Sequence, residues 1–479
     1  MNGVAQLVDR FAKAAPVAVM VRGALDQILS DEKLDAVFEN HASRQYVRKL
    51  AFSACFWLMV EVVTKAKPSI HAGYEDAKED FDVTVQSVYN KLNRLELRVL
   101  ENLVSKTAGD MIACAKAMKL QLPKLVPGYV CRLLDGNILA GTEHRIKELR
   151  RTNAAALPGR SVCFYNYQYR MIDDVVLDKN GHAQDKSQID SLLERVNPGD
   201  CIIADAGFCT QKMMFGISQQ QACFILRKPS NTAVELVGKR KRIGKSETGI
   251  LFEQDGILHC KNKSSIHLRV ITLERFEPTE SGKMEIVFLT NLPKKVSGIC
   301  VAQAYRRRWR IENTFQDLAQ VVESEVSTLG YPSAALFGFV VGCAIQNVIA
   351  LTEHALHKAS QKQPVRKSNS TSSTNASSAY EEKRLSRYRI ALEIKTVTPG
   401  MEIAITSANW TQEIGTMTPQ ELSQWMLSIA KHAKLADYET YSWSPKREQP
   451  KRASGNRGNH LATAEIIDKR KKKTLPKHL

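Results

Sequence analysis

The sequence predicts an α/β core with a helical region before it and a basic region after it. Two observations carry this prediction. Apolar residues recur at helical spacing through 47–63 and 85–104, which indicates amphipathic helices in the early part of the chain. Beyond Val126, short apolar runs alternate with turn residues and helical segments, a pattern that is typical of an α/β fold.

The strand-like runs of the core are short, apolar and bounded by turn residues. A helix is predicted over 187–195, because the Asn197-Pro198-Gly199 turn that follows it is a strong stop signal. The early strand-like runs are 129–134, 161–167, 170–177 and 201–204, and the two clearest later ones are 264–272 and 283–290.

Shifts in composition divide the chain into predicted segments. A polar low-complexity stretch rich in Ser, Thr and Asn is typical of a linker, and the Lys/Arg runs near the end predict a disordered tail. The segments are a helical N-terminal domain that is a candidate for DNA binding (1–122), the first part of the core (123–226), a β-rich insertion (227–296), the second part of the core (297–358), a polar linker (359–385) and a partly helical C-terminal region with a basic disordered tail (386–479).

Segment 87–94 in the N-terminal region has two interpretations. Its polar face would carry Asn90, Lys91 and Arg94, which suits the recognition helix of a helix-turn-helix motif. The pattern fits one helix of an ordinary bundle equally well, because polar faces are common on surface helices.

The net positive charge indicates which kind of partner the protein binds. The 68 Lys and Arg residues exceed the 50 Asp and Glu residues, which gives a formal net charge of +18 and a pI near 9.4. Such a surplus favours nucleic acid, since basic side chains that neutralise phosphates release counterions, although an anionic membrane or mere solubility would also account for it. The ten cysteines lack metal-ligand spacing, so we expect reduced thiols in a cytoplasmic protein and no zinc finger.

One apolar run, 334–351, is long enough to resemble a membrane span. Gln346 and Asn347 interrupt it, and Glu353 and His354 follow directly. We therefore predict a helix buried between the layers of an α/β domain.

Two aspartates stand at the ends of apolar strands, each before a turn of small residues: Asp135-Gly136 and Asp205-Ala206-Gly207. A strand buried on both faces can present a carboxylate only at its end. If the two strands are neighbours, the carboxylates converge, and such a pair is costly unless a hard cation bridges them. For either residue alone, capping of a turn is the commoner role.

A third element adds a carboxylate and basic residues. Tyr305, Arg308 and Glu312 are spaced by three and four positions, so they share one face of a helix that we predict to run from Ser297 through Gln320. Glu312 is suited to be the third ligand of a two-metal phosphoryl-transfer site, and Arg308 to hold the scissile phosphate. An Arg–Glu pair on a solvated helix face is the simpler alternative.

These motifs resemble those of DDE transposases of the insertion sequence 4 family. That family has an RNase H-like core with one Asp after each of two strands, and a Tyr-x2-Arg-x3-Glu-x6-Lys signature on a helix that follows a β-rich insertion. The segments 141–145 and 157–161 also resemble the family's connections after the first strand. The resemblance covers roughly residues 40–460 and implies an RNase H-like catalytic core interrupted by a β-rich insertion.

The resemblance implies a metal-dependent enzyme that nicks transposon ends and joins the freed 3′-hydroxyl to target DNA. The implied catalytic and metal-binding residues are Asp135, Asp205 and Glu312, and the implied cofactor is Mg²⁺, with Mn²⁺ as an alternative, in a two-ion site. The implied partner is double-stranded DNA, bound by a homodimer that holds both ends. The candidate phosphate and DNA contacts are Tyr305, Arg307, Arg308, Arg310, Lys239, Arg240, Lys241 and Arg242, the last four in an exposed basic hairpin or loop.

Two positions depart from the family pattern. Ala319 occupies the position of the signature Lys, and Ala206 stands where the family has Arg. Because both changes remove positive charge, one alternative is a catalytically impaired remnant that acts as a DNA-binding protein or repressor. A second alternative, a phosphatase of small substrates, is disfavoured by the basic composition and predicts activity that competitor DNA does not inhibit.

Overall fold

The computed structural model describes residues 3–45, 49–119, 121–139, 156–260, 264–279, 282–360, 385–439 and 461–474. They form two compact units. The first, here the helical unit, contains 1–121, 140–158 and 317–479, and the second, here the sheet unit, contains 122–139 and 159–316. The mixed α/β class is confirmed, and it is consistent with an RNase H-like core flanked by helical regions.

The helical unit is built from amphipathic and apolar helices, as the periodicity predicted. Its helices are α1 (Gly3–Ala14), α2 (Pro16–Ile28), α3 (Asp31–His41), α4 (Phe52–Val63), α5 (Ile70–Asp76), α6 (Val85–Arg94), α7 (Leu97–Ala117), α12 (Pro332–Ser360), α13 (Arg387–Ala404), α14 (Ser407–Ile414), α15 (Pro419–Ala430) and α16 (Thr463–Thr474). Two short parallel strands, β2 (Ala156–Leu157) and β11 (Leu461–Ala462), pair within it.

The described residues of the sheet unit form nine strands and four α-helices, and the last helix continues past residue 316. Its strands are β1 (Val130–Ile138), β3 (Arg160–Asn166), β4 (Met171–Asp178), β5 (Asp200–Ala204), β6 (Cys223–Arg227), β7 (Glu235–Ser246), β8 (Gly249–His259), β9 (Ser265–Arg275) and β10 (Glu285–Thr290). Its helices are α8 (Ile189–Leu193), α9 (Gln211–Gln219), α10 (Gly298–Arg306) and α11 (Trp309–Gln320).

All nine strands of the sheet unit belong to one sheet, in the order β4-β3-β1-β5-β6-β10-β9-β8-β7. β1, β5 and β6 are parallel, and β3 runs antiparallel to both β1 and β4. The β-rich insertion continues this sheet, because β10 pairs with β6 through Leu289 and Leu226. The insertion was predicted from composition, but its union with the core sheet depends on a strand pairing between distant residues that local patterns do not report.

One face of the central strands forms a hydrophobic core with α8 and α9. Alternation along a strand places Leu134 on this face and Asp135 on the other. Leu134, Phe164 and Ile202 are fully buried there against Met213 and Ile217 of α9. The core therefore fixes the positions of β1 and β5, and the opposite face is left for the candidate site.

Helix α12 contains the apolar run that resembles a membrane span. It is long and apolar enough to cross a membrane, but its most apolar window is completely buried within the protein. Its neighbours include α7, α4 and α15 of the same unit. The prediction of a buried helix agrees with the structure, whereas the predicted position between layers of an α/β domain was wrong, because helices enclose it.

Helix α6 contains the segment for which a recognition helix was one interpretation. The ammonium group of Lys91 donates a hydrogen bond to the Leu50 carbonyl at 2.6 Å and lies 4.7 Å from the centre of the Phe38 ring. Lys91 therefore stabilises the bundle, which favours the bundle interpretation for that residue. Arg94 remains exposed.

The C-terminal basic run differs from the prediction. Lys469–Lys473 lies within α16, and α16 follows directly on β11, whose pairing with β2 holds the chain in place. The prediction of disorder was therefore wrong for 463–474. The predicted linker at 361–384, the basic stretch within 440–460, and the segment 141–145 lie outside the described residues.

Candidate active site

Asp135 and Asp205 lie side by side on two neighbouring strands. Asp205 directly follows β5, as predicted, but Asp135 lies inside β1. The predicted end of that strand at Asp135 was wrong, because the pairing of β1 with β3 continues through Asp135 to Ile138. β1 and β5 are parallel, and the residues just before the two aspartates, Leu134 and Ala204, are paired. Neighbouring strands lie about 4.8 Å apart, so the condition on which the sequence argument depended is met. Asp135 Oδ1 accepts a hydrogen bond from the Gly136 N–H at 2.9 Å, and Asp205 Oδ1 accepts one from the Gly207 N–H at 2.9 Å.

The Tyr-Arg-Glu motif spans two helices, although a single helix from Ser297 to Gln320 was predicted. α10 ends at Arg306 and α11 begins at Trp309. Between them the backbone N–H of Arg308 donates to the carbonyl of Tyr305 at 2.9 Å, and such i→i−3 bonds tighten the chain and interrupt the α-helical pattern. Helical periodicity alone does not reveal this break, because side chains three and four residues apart remain neighbours across it.

Arg308 joins two of the three predicted carboxylates. Its Nη1 donates to Asp135 Oδ2 at 2.7 Å, and its Nη2 donates to Glu312 Oε1 at 2.5 Å. The Arg308 side chain is only 11% exposed, against 17% for Asp135 and 27% for Glu312. The structure thus brings Asp135, Asp205, Arg308 and Glu312 into one partly buried cluster, here the acidic cluster.

Ionisation of Asp135 is unfavourable in the acidic cluster. Burial raises the pKa of Asp135 to about 6, the Arg308 guanidinium opposes this, and the carboxylates of Asp205 and Glu312 add to it. Two carboxylates, those of Asp135 and Glu312, therefore share one guanidinium, and Asp205 adds a third negative charge near Asp135. Within the described residues, no group of three or more Asp, Glu, His or Cys side chains is arranged to hold a metal ion.

This pKa shift predicts how stability depends on pH. Asp135 has a raised pKa in the folded chain, so its ionisation costs folding free energy, and this cost grows as pH rises from about 4 through 6. In EDTA, Asp135→Asn should match the wild type near pH 4 and exceed its stability by roughly 2 kcal/mol near pH 7. Urea unfolding of both proteins across this range measures the difference, and a difference that does not grow with pH would contradict the assignment.

Tyr305 packs behind Arg308. Its ring packs at a tilt of 42° against Phe288, with centroids 4.6 Å apart. Burial raises the pKa of its phenol, and the Arg308 guanidinium opposes this rise through its charge and a hydrogen bond. Phe288 is itself 2% exposed. Tyr305 is therefore placed to orient the guanidinium, and direct contact with DNA remains a prediction.

The segment that contains the acidic cluster matches a known protein family. Residues 127–345 match the protein family described as "Transposase DDE domain". This segment is similar to transposase DDE domains. Asp135, Asp205, Arg308 and Glu312 all lie inside it. Proteins of this family are generally dependent on divalent metals, and the insertion sequence 4 subfamily remains an interpretation of the motifs.

A curated relative carries a matching name. "Putative transposase y4zB" of Sinorhizobium fredii is 26% identical over 125 residues. That stretch covers 26% of this chain and 35% of the relative. The chain therefore matches only about a third of that protein's length.

Arg307 and Arg310, the other predicted basic residues of the motif, flank Arg308 of the acidic cluster in sequence. Arg307 caps α10 and is exposed, whereas Arg310 is half-buried. Burial lowers the pKa of Arg310, and the nearby guanidinium groups of Arg170 and Arg307 lower it further. Cations that are held together in this way favour an anionic ligand.

The basic stretch of the insertion forms part of β7, the last strand of the sheet. Lys239, Lys241 and Arg242 are exposed and have no ion pair within the described residues. Arg240 differs from them, since it donates to Glu274 at 2.5 Å and lies 4.1 Å from the centre of the Phe252 ring. The charge of Arg240 is thus largely neutralised by contacts within the protein.

A basic cleft opens beside the acidic cluster. It has a volume of about 360 Å³, and its lining includes Ile138, Arg160, His182, Lys186 and Gly207. Gly207 is the residue whose N–H binds Asp205, and Ile138 lies three residues beyond Asp135 on β1. The cleft therefore adjoins the ends of both strands that carry the aspartates.

Trp309 and Lys186 lie near the acidic cluster but were not predicted as site residues. Trp309 is 63% exposed, and the Arg308 guanidinium lies 5.7 Å from the centre of its ring. Its place inside the Tyr-Arg-Glu motif was a signal that could have drawn attention to it. The residues around Lys186 in the sequence form no motif that would indicate a site. Lys186 lies beside the acidic cluster because of the order of the strands in the sheet.

Proposed function

We propose that this chain is a DNA transposase of an insertion sequence, which nicks DNA at the ends of its element and joins the freed 3′-hydroxyl to target DNA. One observation carries the proposal. Asp135 and Asp205 lie side by side where the parallel strands β1 and β5 are paired, and one guanidinium links Asp135 to Glu312, all within the segment that matches transposase DDE domains. Clustered carboxylates beside basic surfaces are suited to metal-assisted phosphoryl transfer.

The donor set fits a hard divalent cation. The oxygen ligands of Asp135, Asp205 and Glu312 would hold Mg²⁺, or Mn²⁺, in a site for two ions, because Mg²⁺ prefers carboxylate oxygens. When bound, the cations would activate the attacking hydroxyl group and stabilise the leaving oxygen. The raised pKa of Asp135 supports this assignment, since a cation would relieve the cost of its ionisation.

The protein's own residues would bind and orient the DNA. Arg308 would contact the scissile phosphate through its planar fork, positioned by Tyr305, while Arg307 and Arg310 would contact phosphates nearby. The basic cleft would receive the DNA strand as it leaves the acidic cluster.

The exposed edge strand β7 would follow the DNA backbone through Lys239, Lys241 and Arg242. We propose double-stranded DNA as the partner, at both the transposon end and the target. A homodimer would hold both ends together, as the resemblance to the insertion sequence 4 family implies.

The basic cleft yields a specific prediction. Lys186 is exposed at its rim and has no ion pair within the described residues. If it contacts a DNA phosphate, Lys186→Ala should weaken binding of an end duplex roughly fivefold at physiological salt and reduce the slope of log K against log salt by about 1.

The matched control is Lys295→Ala, which removes an exposed lysine from the loop between β10 and α10. Its affinity and salt slope should equal those of the wild type. Both quantities are measured by fluorescence anisotropy in EDTA, where no cleavage occurs. Equal slopes for the wild type and Lys186→Ala would show that the cleft does not bind phosphate.

The proposed function is tested by cleavage of a labelled duplex. The substrate carries the inverted repeats that flank the coding sequence, joined to flanking DNA. Full-length protein with Mg²⁺ should nick this duplex at the repeat ends, EDTA should abolish nicking, and a duplex with scrambled ends should remain intact. Absence of nicking with both Mg²⁺ and Mn²⁺ would overturn the proposal.

A DNA-binding remnant or repressor is the second candidate. Ala206 and Ala319 favour it, because each occupies a position where the related family carries a basic residue. This candidate predicts specific binding of the end duplex by the wild type without metal-dependent nicking. The same cleavage assay, combined with a binding measurement, therefore separates the two candidates.

A further inference from the structure

Arg308 occupies the place of a cation between two carboxylates. Its two terminal nitrogens bind Asp135 at 2.7 Å and Glu312 at 2.5 Å. Hydrogen bonds between charged groups are roughly twice as strong as neutral ones, and the side chain is only 11% exposed. The guanidinium thus supplies the positive charge that the buried carboxylates require.

This arrangement leaves the three carboxylates unable to converge on one ion. Within the part of the chain that the structure describes, no three acidic, His or Cys side chains are arranged to hold a metal. A divalent cation that enters must displace Arg308 from at least one carboxylate. Because Arg308 belongs to the same chain, its competition for the carboxylates does not depend on any added ligand. It lowers the apparent affinity of the site for metal by a constant factor.

Arg308 is also placed to leave this position. It lies at the break between α10 and α11, and its buried Nε makes no hydrogen bond within the described residues. A phosphate can accept two parallel hydrogen bonds from a guanidinium. It would therefore offer Arg308 a favourable alternative partner, and the exposed Trp309 beside it shows that this side of the break faces solvent.

We propose that Arg308 is an internal counter-cation which keeps the metal site closed in the DNA-free chain and is released when a DNA phosphate binds it. The inference rests on the proposed function and adds its regulation. DNA and divalent metal then bind cooperatively, because each favours the arrangement in which Arg308 has left the carboxylates. Coupling of this kind typically changes an affinity by about 5–150-fold, and by the same factor in both directions.

The test is Mn²⁺ binding to the full-length, DNA-free protein, measured as free Mn²⁺ by electron paramagnetic resonance. Arg308→Ala should bind Mn²⁺ at least about tenfold more tightly than the wild type. The matched control is Arg306→Ala, which removes the same charge two residues away, where Arg306 is exposed and pairs with Glu247. It should change Mn²⁺ affinity less than about threefold, as expected for a screened charge. If all three proteins bind Mn²⁺ equally, the inference is overturned.

The second arm measures coupling to DNA. An end duplex that is already nicked and ends in a 3′-deoxynucleotide cannot react further. It should tighten Mn²⁺ binding to the wild type by the same factor by which Mn²⁺ tightens DNA binding, and it should have little effect on Mn²⁺ binding to Arg308→Ala. Equal coupling in both proteins would contradict the inference.

A third variant protects the test against misfolding. If circular dichroism shows that Arg308→Ala is unfolded, Arg308→Lys is used in its place to test the inference. A single ammonium group cannot bridge both carboxylates as the planar guanidinium does. The Mn²⁺ affinity of Arg308→Lys should then lie above that of the wild type. Failure of the proposed function looks different, since in that case neither the wild type nor any Arg308 variant would bind Mn²⁺, with or without DNA.

Discussion

Asp135→Asn is expected to reduce metal-dependent nicking by about a thousandfold or more, because loss of a shared metal ligand removes several kcal/mol of transition-state stabilisation. The substitution preserves the shape of the side chain and the hydrogen bond from Gly136. Binding of the end duplex in EDTA should therefore remain within a few-fold of the wild type. Nicking rates under single-turnover conditions, measured beside binding, check this prediction.

The control for Asp135→Asn is Asp255→Asn, the same chemical change at an exposed site on β8, where Asp255 pairs with Lys294. This variant should nick at the wild-type rate. Asp205→Asn and Glu312→Gln should behave like Asp135→Asn if the three carboxylates act as one site. If Asp135→Asn retains more than about a tenth of the wild-type rate, Asp135 is not a metal ligand.

Arg132→Leu is expected to destabilise the sheet unit by about 3–5 kcal/mol. Arg132 is buried on the face of β1 opposite Asp135, where it pairs with Asp173 at 3.0 Å and with Asp200 at 3.2 Å. Its guanidinium also lies 4.2 Å from the centre of the Phe164 ring. Removal of this cation leaves Asp173 and Asp200 with hydrogen bonds from Asn166 and Asn197 but without their ion pairs to Arg132. Loss of a buried ion pair costs far more than loss of an exposed one.

Urea unfolding followed by tryptophan fluorescence and circular dichroism measures this effect. Arg240→Ala is the control, because Arg240 pairs with Glu274 and Glu285 at the exposed edge of the same sheet. Its loss should cost less than about 1 kcal/mol. A comparable loss of stability in the two variants would show that burial does not determine the strength of the Arg132 network.

The two aspartates could be predicted from the sequence because the residues around each of them form a recognisable local pattern, although only Asp205 follows the end of its strand and β1 continues past Asp135 to Ile138. Asp135 and Asp205 each follow a short apolar run and precede small turn residues. Glu312 was found through its spacing from Arg308, and that spacing survives the break between α10 and α11. In each case the motif that indicates the carboxylate spans only a few residues, so a single sequence is sufficient to identify that carboxylate.

The features that were missed depend on contacts between distant residues. The pairing of β10 with β6, which joins the insertion to the core sheet, links residues about sixty positions apart. The neutralisation of Arg240 by Glu274 and the position of Lys186 beside Gly207 depend on the same sheet order. Local patterns carry no information on such pairings, so composition alone marked Arg240 as a DNA contact.

The most direct test of the proposed metal site is local cleavage of the protein by bound iron. Fe²⁺ replaces Mg²⁺ in the complex with the end duplex, and ascorbate with peroxide then generates hydroxyl radicals that cut the backbone beside the ion. A metal site shared by the three carboxylates should give cuts near residues 135, 205 and 312 together, and excess Mg²⁺ or Asp205→Asn should suppress them. Cuts near only one of these positions, or none at all, would contradict a metal site shared by the three carboxylates.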